Sequence, residues 1–222
     1  MKKSIFLIAA FVLAAVISHA QTEKGSQTLG LNLGFNYNKT NGVNINPYDN
    51  SSTPAGSKST SFNIGPSYSY FIADKLDLGA SLSYGQSNRT YANTPIYPEK
   101  QSSYAFISSV YLRKYYMFGD KLGLRAGPYL GYVIANNKSI YLGSNALYNV
   151  NSKQTEYSAG ARLEFVYYPS KKLGLTAYIA SVDYDHTKFD NGNSGHTSSD
   201  NVDLSLINKG LTLSVFYSFG SK

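Results

Sequence analysis

Three groups of side chains in this 222-residue chain have types and spacings that could do chemistry. The first is His196-Thr197-Ser198 with Asp200 close behind. A histidine two residues from a serine can take its proton, and a nearby carboxylate can orient the imidazole, which together would cleave an ester. The stretch before it, Asp190-Asn191-Gly192-Asn193-Ser194-Gly195, reads as a flexible connector. Such a segment cannot hold a nucleophile in register with oxyanion donors. The expectation is therefore solvated polar residues and no enzyme; His186 reads as an ordinary rim residue.

The second group is charged: Arg113, Arg125, Arg162 and Glu164, with Asp77 near a turn. Each falls on the less apolar side of an alternating segment, and most lie at similar depth from the nearest short turn. If that side encloses a narrow interior, these charges form a paired, hydrogen-bonded plug, because an unpaired ion there is costly. Strand shear could instead separate them within a hydrated pocket. Neither arrangement is catalytic. The third group, Asp183, Asp185, Asp190 and Asp200, lacks calcium-loop spacing and a closing bidentate Glu, so no metal or other cofactor is expected.

The elements that carry these residues show period two. Leu29, Leu31, Leu33, Phe35 and Tyr37 share one side, with Gly30, Asn32, Gly34 and Asn36 on the other. The pattern returns in Phe62-Ile64-Tyr68-Tyr70, in Leu76-Leu78-Ala80-Leu82-Tyr84 and in Leu122-Leu124-Ala126-Leu130-Tyr132. It returns again from Tyr157 to Tyr167 and from Leu211 to Phe219. Segments 102–116 (Phe106, Val110, Leu112) and 173–184 (Leu173, Leu175, Ala177, Ile179) are less regular but strand-like, which brings the expected number of strands to eight. Pro66 and Pro128, each after a Gly, interrupt two of these strands, and bulges are expected there.

Connections alternate in length. Ala73–Lys75, Phe118–Lys121 and Pro169–Lys172 are short, whereas 39–59, 88–101, 136–152 and 185–205 are long and rich in Asn, Ser, Gly and Thr. In an antiparallel array all short turns lie at one end and all long loops at the other. Each short turn opens the same phrase: Asp74-Lys75-Leu76-Asp77-Leu78, Asp120-Lys121-Leu122-Gly123-Leu124 and Lys171-Lys172-Leu173-Gly174-Leu175. Aromatic residues precede each turn: Tyr70-Phe71, Tyr115-Tyr116 with Phe118, and Tyr167-Tyr168. With no Trp in the chain, tyrosine must supply the belts at both membrane boundaries, Tyr37, Tyr84, Tyr132 and Tyr157 forming the second.

Period two does not say which face is inside. A soluble barrel or sandwich would turn the apolar face inward and line its outer face with Lys and Glu. Here the other face is mostly Gly, Ser and Asn, which suits a crowded lumen, and charge is concentrated in the connections. The N-terminus agrees: Lys2 and Lys3, thirteen apolar residues from Ile5 to Ile17, then Ser18-His19-Ala20. This reads as a signal peptide over residues 1–20, too short for the roughly 20 residues of a spanning helix. The exported domain is then 21–222. Removing Lys2 and Lys3 leaves 18 Lys and Arg against 13 Asp and Glu, a net +5 too scattered to imply nucleic acid. Cysteine is absent, so no disulfide supports the fold.

The last strand, Leu211-Thr212-Leu213-Ser214-Val215-Phe216-Tyr217-Ser218-Phe219, resembles the terminal strand of bacterial outer-membrane β-barrel proteins, although Gly220-Ser221-Lys222 extend beyond the aromatic. In its whole organisation the chain is similar to the small Gram-negative barrels of OmpA/OmpX type. The resemblance implies an all-β fold, an eight-stranded antiparallel up-and-down transmembrane β-barrel with short periplasmic turns and long extracellular loops, in the cell outer membrane. It implies outer-membrane lipids and the barrel-assembly machinery as partners, with Tyr217 and Phe219 as the assembly signal. An extracellular ligand of the loops is left open. The expected role is structural or surface-interacting with a side-chain-filled lumen; the alternatives are a lipid-modifying enzyme or a narrow solute channel.

Overall fold

The computed structural model describes residues 22–45, 52–92, 99–142, 147–190, 195–206 and 211–220. Residues 1–20, read above as a signal peptide, lie outside the described residues. Nine strands follow in order: β1 Gln27–Ile45, β2 Ser52–Ala73, β3 Leu76–Ala92, β4 Lys100–Met117, β5 Leu122–Leu142, β6 Leu147–Tyr167, β7 Leu173–Asp190, β8 His196–Leu206 and β9 Leu211–Phe219. Every pairing is antiparallel, and β9 lies between β7 and β1, so the sheet closes into a ring. Among the described residues no helix is long and apolar enough to cross a membrane.

Eight staves make this ring, because β8 and β9 are two pieces of one. From Ala177 to Ala180 along β7 is three residues, while the partner moves from Leu213 to Leu206, seven residues; the ladder shifts by four between the pieces. β8 pairs with the outer part of β7, and β9 joins β7 to Gln27–Phe35 of β1.

The apolar face is outside. Leu29, Leu33, Phe35, Leu82, Phe106 and Leu130 are all exposed on the isolated barrel, as a lipid-facing surface must be. The ring therefore has no conventional core between layers. Its interior cluster is Phe71, Tyr115, Val166, Tyr168 and Phe216, gathered at the short-turn end.

Three features differ from the sequence reading. First, most of the expected loops are strand: the hairpins run to Ile45 and from Ser52, to Ala92 and from Lys100, to Leu142 and from Leu147, to Asp190 and from His196. Along most of these arms polar residues stand on both faces, so alternation of polarity fades while backbone pairing continues. Second, the aromatic pairs before the turns are split by the pleat. Tyr70, Tyr116 and Tyr167 face outward, whereas Phe71, Tyr115 and Tyr168 are buried inside.

Third, neither proline sits in a bulge. Pairing skips from Ile64↔Tyr84 to Ser67↔Ser81, and from Tyr111↔Tyr129 to Lys114↔Ala126, with the register unchanged. Pro66 and Pro128 remove a donor, and the ladder opens without gaining a residue. The preceding glycines allow the neighbouring strand to approach: a Cβ on Gly65 would lie 1.9 Å from the Leu82 carbonyl oxygen, and one on Gly127 1.8 Å from that of Leu112. A bulge occurs instead at Ile179, since Leu163 pairs with Ala180 and Glu164 with Tyr178. That extra residue reverses the phase of β7, so Asp183 and Asp185 line the lumen.

Candidate functional site

The repeated turn phrase builds the floor of the lumen. The carbonyls of Lys75, Lys121 and Lys172 each accept a hydrogen bond from the next stave, from the backbone N–H of Tyr115 (2.8 Å), Tyr168 (2.8 Å) and Ser218 (2.7 Å). At the equivalent place on β2, Phe71 N–H donates to the Ser26 carbonyl at 2.8 Å. These four staves thus present Phe71, Tyr115, Tyr168 and Ser218 inward at one level. Phe71 and Tyr115 rings meet at 5.3 Å, and Tyr168 meets Phe216 edge-on at 5.6 Å. Glycine makes room for Phe216: a Cβ on Gly174 would collide with its ring at 2.1 Å.

The charged residues sit directly on this floor. Arg113 forms a two-pronged pair with Asp77, Nε to Oδ1 at 3.0 Å and Nη2 to Oδ2 at 2.6 Å. Ser69 and Tyr115 hydroxyls also donate to Asp77 Oδ2, at 2.8 and 3.0 Å. Arg125 Nε donates to Glu164 Oε2 at 2.6 Å, with its other nitrogens on Thr176 Oγ1 (3.1 Å) and Tyr115 Oη (3.3 Å). Tyr115 therefore joins the two ion pairs into one network, which satisfies charges that would be costly alone. Asp77 is fully buried and Arg125 nearly so.

Arg162 stands apart. Its guanidinium stacks on Tyr129, 3.6 Å from the ring centroid, and makes no ion pair with Glu164 within 4 Å. It belongs to an upper layer in which the Tyr129 hydroxyl donates to Asp183, Tyr178 to Ser181, and Ser181 to Asp183. Between the layers lies a cavity of about 400 Å³ lined by Asn63, Ser83, Tyr111, Arg162, Glu164 and Asp183 among others. Lumen polarity thus runs from an aromatic floor through paired charges to a polar cup.

Sequence reading picked out the four charged groups of this network, Asp77, Arg113, Arg125 and Glu164, but missed their hub. Tyr115 shares the parity of Arg113, two residues away, and that alternation was the available signal. Asp183 was hidden because the Ile179 bulge cannot be seen in the periodicity. Tyr217 and Phe219 stack on the outer face with centroids 6.4 Å apart, and Phe219 pairs with Gln27 where the ring closes.

The hydrolytic group is not assembled. His196, Thr197 and Ser198 begin β8, as a strand rather than the expected loop, and are exposed. His196 lies 3.7 Å from Asp190, while Asp200 is bonded to His186 Nδ1 at 2.8 Å and to the Tyr184 hydroxyl at 2.7 Å. Asp200 thus orients the wrong histidine for that chemistry. Among the described residues no group of three or more His, Asp or Glu could hold a metal ion.

No curated protein matches this chain. Solved structures similar to it include the N-terminal β-barrel domain of Pseudomonas aeruginosa OprF, 17% identical over 90% of this chain and 100% of that one, with a TM-score of 0.33. OprG from the same organism is 13% identical over 90% and 98% with a TM-score of 0.42, and Yersinia pestis Ail 15% identical over 88% and 99% with a TM-score of 0.32. Residues 19–187 match the family of the outer membrane protein beta-barrel domain. With the closed antiparallel ring and its apolar outer face, that match places the chain in the outer membrane protein beta-barrel domain family.

Proposed function

We propose that this outer-membrane barrel serves a structural or surface-interacting role, without enzymatic activity, and that it is not an open pore. The observation that carries this reading is the stoppered end: the Phe71–Tyr115–Val166–Tyr168–Phe216 cluster with the Asp77–Arg113 and Arg125–Glu164 pairs above it. Eight staves enclose an interior only about wide enough for side chains to fill. The cavity of about 400 Å³ lies on the far side of this stopper, so water that enters it meets a closed floor. What remains for interaction with the outside is the set of hairpins that extend the barrel. The terminal strand, through Tyr217 and Phe219, serves as the signal for assembly.

Reconstitution of purified protein into a planar bilayer tests the reading. Little or no steady conductance is expected; large, stable single-channel steps would overturn it in favour of a solute channel.

A further inference from the structure

Above the upper tyrosines, the outward face of neighbouring staves turns from apolar to basic. Lys39 of β1 pairs with Lys58 of β2, Lys58 with Thr90 of β3, and Thr90 with Lys100 of β4, so these residues form one lateral rank across the wall. The rank beneath it on the same face runs Tyr37, Thr60, Asn88, Ser102 and Lys138, from β1 to β5. Alternation puts Lys39, Lys58, Lys100 and Lys138 on the side that bears Phe35, Phe62, Phe106 and Tyr132 lower down, and all four lysines are exposed. Among the described residues none of them has a carboxylate within 4 Å; the ion pairs lie elsewhere.

Two further details indicate an anionic partner. Lys39 and Lys58 stand directly opposite each other, and opposed like charges weaken a strand pair unless an anion lies between them. Lys58 Nζ is also 5.7 Å from the centroid of the Tyr37 ring, which fixes the patch to the edge of the tyrosine belt. Lys39 is two residues beyond Tyr37 and Lys138 six beyond Tyr132. At about 3.3 Å per residue and a tilt near 40°, that is roughly 5 to 15 Å above the belt. The rank from Lys39 to Lys100 crosses three strand spacings, about 14 Å, enough to meet more than one phosphate on a single headgroup.

We propose that this patch binds the phosphorylated sugar headgroup of the outer-leaflet glycolipid, lipid A, holding the barrel against the outer leaflet on its β1–β5 side. The inference rests on the membrane placement and on the long hairpins being extracellular. Apolar residues below the patch pack against the acyl chains, while the lysines, spread over roughly 10 Å of height by the strand tilt, take the phosphates above them.

The test titrates folded, detergent-solubilised protein with bisphosphorylated lipid A, dephosphorylated lipid A, phosphatidylglycerol and a soluble sulfated polysaccharide, all in one detergent. The variants are Lys39→Gln/Lys58→Gln/Lys100→Gln/Lys138→Gln, the same four positions to Arg, and Lys121→Gln/Lys171→Gln at the opposite end. Bisphosphorylated lipid A should bind wild type, the Arg variant and the opposite-end variant alike, and the four-Gln variant at least about tenfold more weakly. Dephosphorylated lipid A should lose as much with wild type. Unchanged affinity in the four-Gln variant overturns the proposal. So does phosphatidylglycerol or the polysaccharide binding as tightly as lipid A, which would mean a general anionic surface or a soluble polymer partner. Boiling-sensitive gel mobility reports folding, and bilayer conductance reports the stoppered lumen, so failure of either is distinct from failure of the lysine patch.

Discussion

Replacing Glu164 by Ala isolates the energetics of the network. Arg125 is 4% exposed and, once the 2.6 Å contact is gone, keeps its hydrogen bond to Thr176, the longer one to Tyr115 and the faces of the Tyr115 and Phe216 rings, but no carboxylate. Removing one partner of a buried ion pair costs about 3–5 kcal/mol, because the remaining charge is left desolvated. Glu164 itself is 17% exposed to the lumen, so water from the cavity can enter the vacated space and hydrate one side of the guanidinium. The expected loss is then about 2–3 kcal/mol, below the fully buried range. Arg162→Ala provides the comparison: an exposed guanidinium stacked on Tyr129 contributes about 0.5–1 kcal/mol. Reversible urea unfolding in lipid vesicles, followed by far-UV circular dichroism and the folded band on unboiled gels, measures both. Arg125→Met/Glu164→Met should recover much of the loss, since no charge is then stranded. A Glu164→Ala cost under about 0.5 kcal/mol, or an Arg162→Ala cost as large as that of Glu164→Ala, would refute the claim that Arg125 and Glu164 belong to a coupled buried network from which the exposed Arg162 stands apart.

Five other substitutions test the architecture. Leu213→Arg, between Leu33 and Ala177 on the lipid face, should cost about 2–4 kcal/mol in the same titration, with Ser214→Asn on the lumen face costing less; equal costs would mean the faces are reversed. Gly65→Ala should destabilise by about 1–3 kcal/mol because its Cβ meets the Leu82 carbonyl at 1.9 Å, whereas Gly85→Ala, whose nearest neighbours lie at 3.6 Å, should be close to neutral in the same urea midpoint comparison. Phe219→Ala should slow insertion by purified assembly machinery in proteoliposomes while leaving the stability of the inserted barrel nearly unchanged; unaltered insertion kinetics would remove the terminal aromatic from the assembly signal.

The amino-acid sequence by itself determined the ring. Alternation over short segments, three tight turns with a repeated phrase and an aromatic-ended last strand allow few arrangements other than an antiparallel closed sheet, since each is a local property of backbone pleat and turn chemistry. Parity also carried real information about the lumen: Asp77, Arg113, Arg125 and Glu164 were legible because alternate residues of a strand share a face. Several features were decided only in three dimensions. Tyr115 became the hub because staves β3, β4 and β5 bring Asp77, Tyr115 and Arg125 to one level, and shear between strands is a property of the closed ring rather than of any segment. Arg162 fell into the upper layer for the same reason. The Ile179 bulge turned Asp183 inward, and the four-residue shift divided the last stave, because one extra residue changes a phase without changing composition. The hairpin arms were illegible as strands because polar residues on both faces remove the contrast that alternation needs, and only hydrogen bonding between neighbours keeps the chain extended.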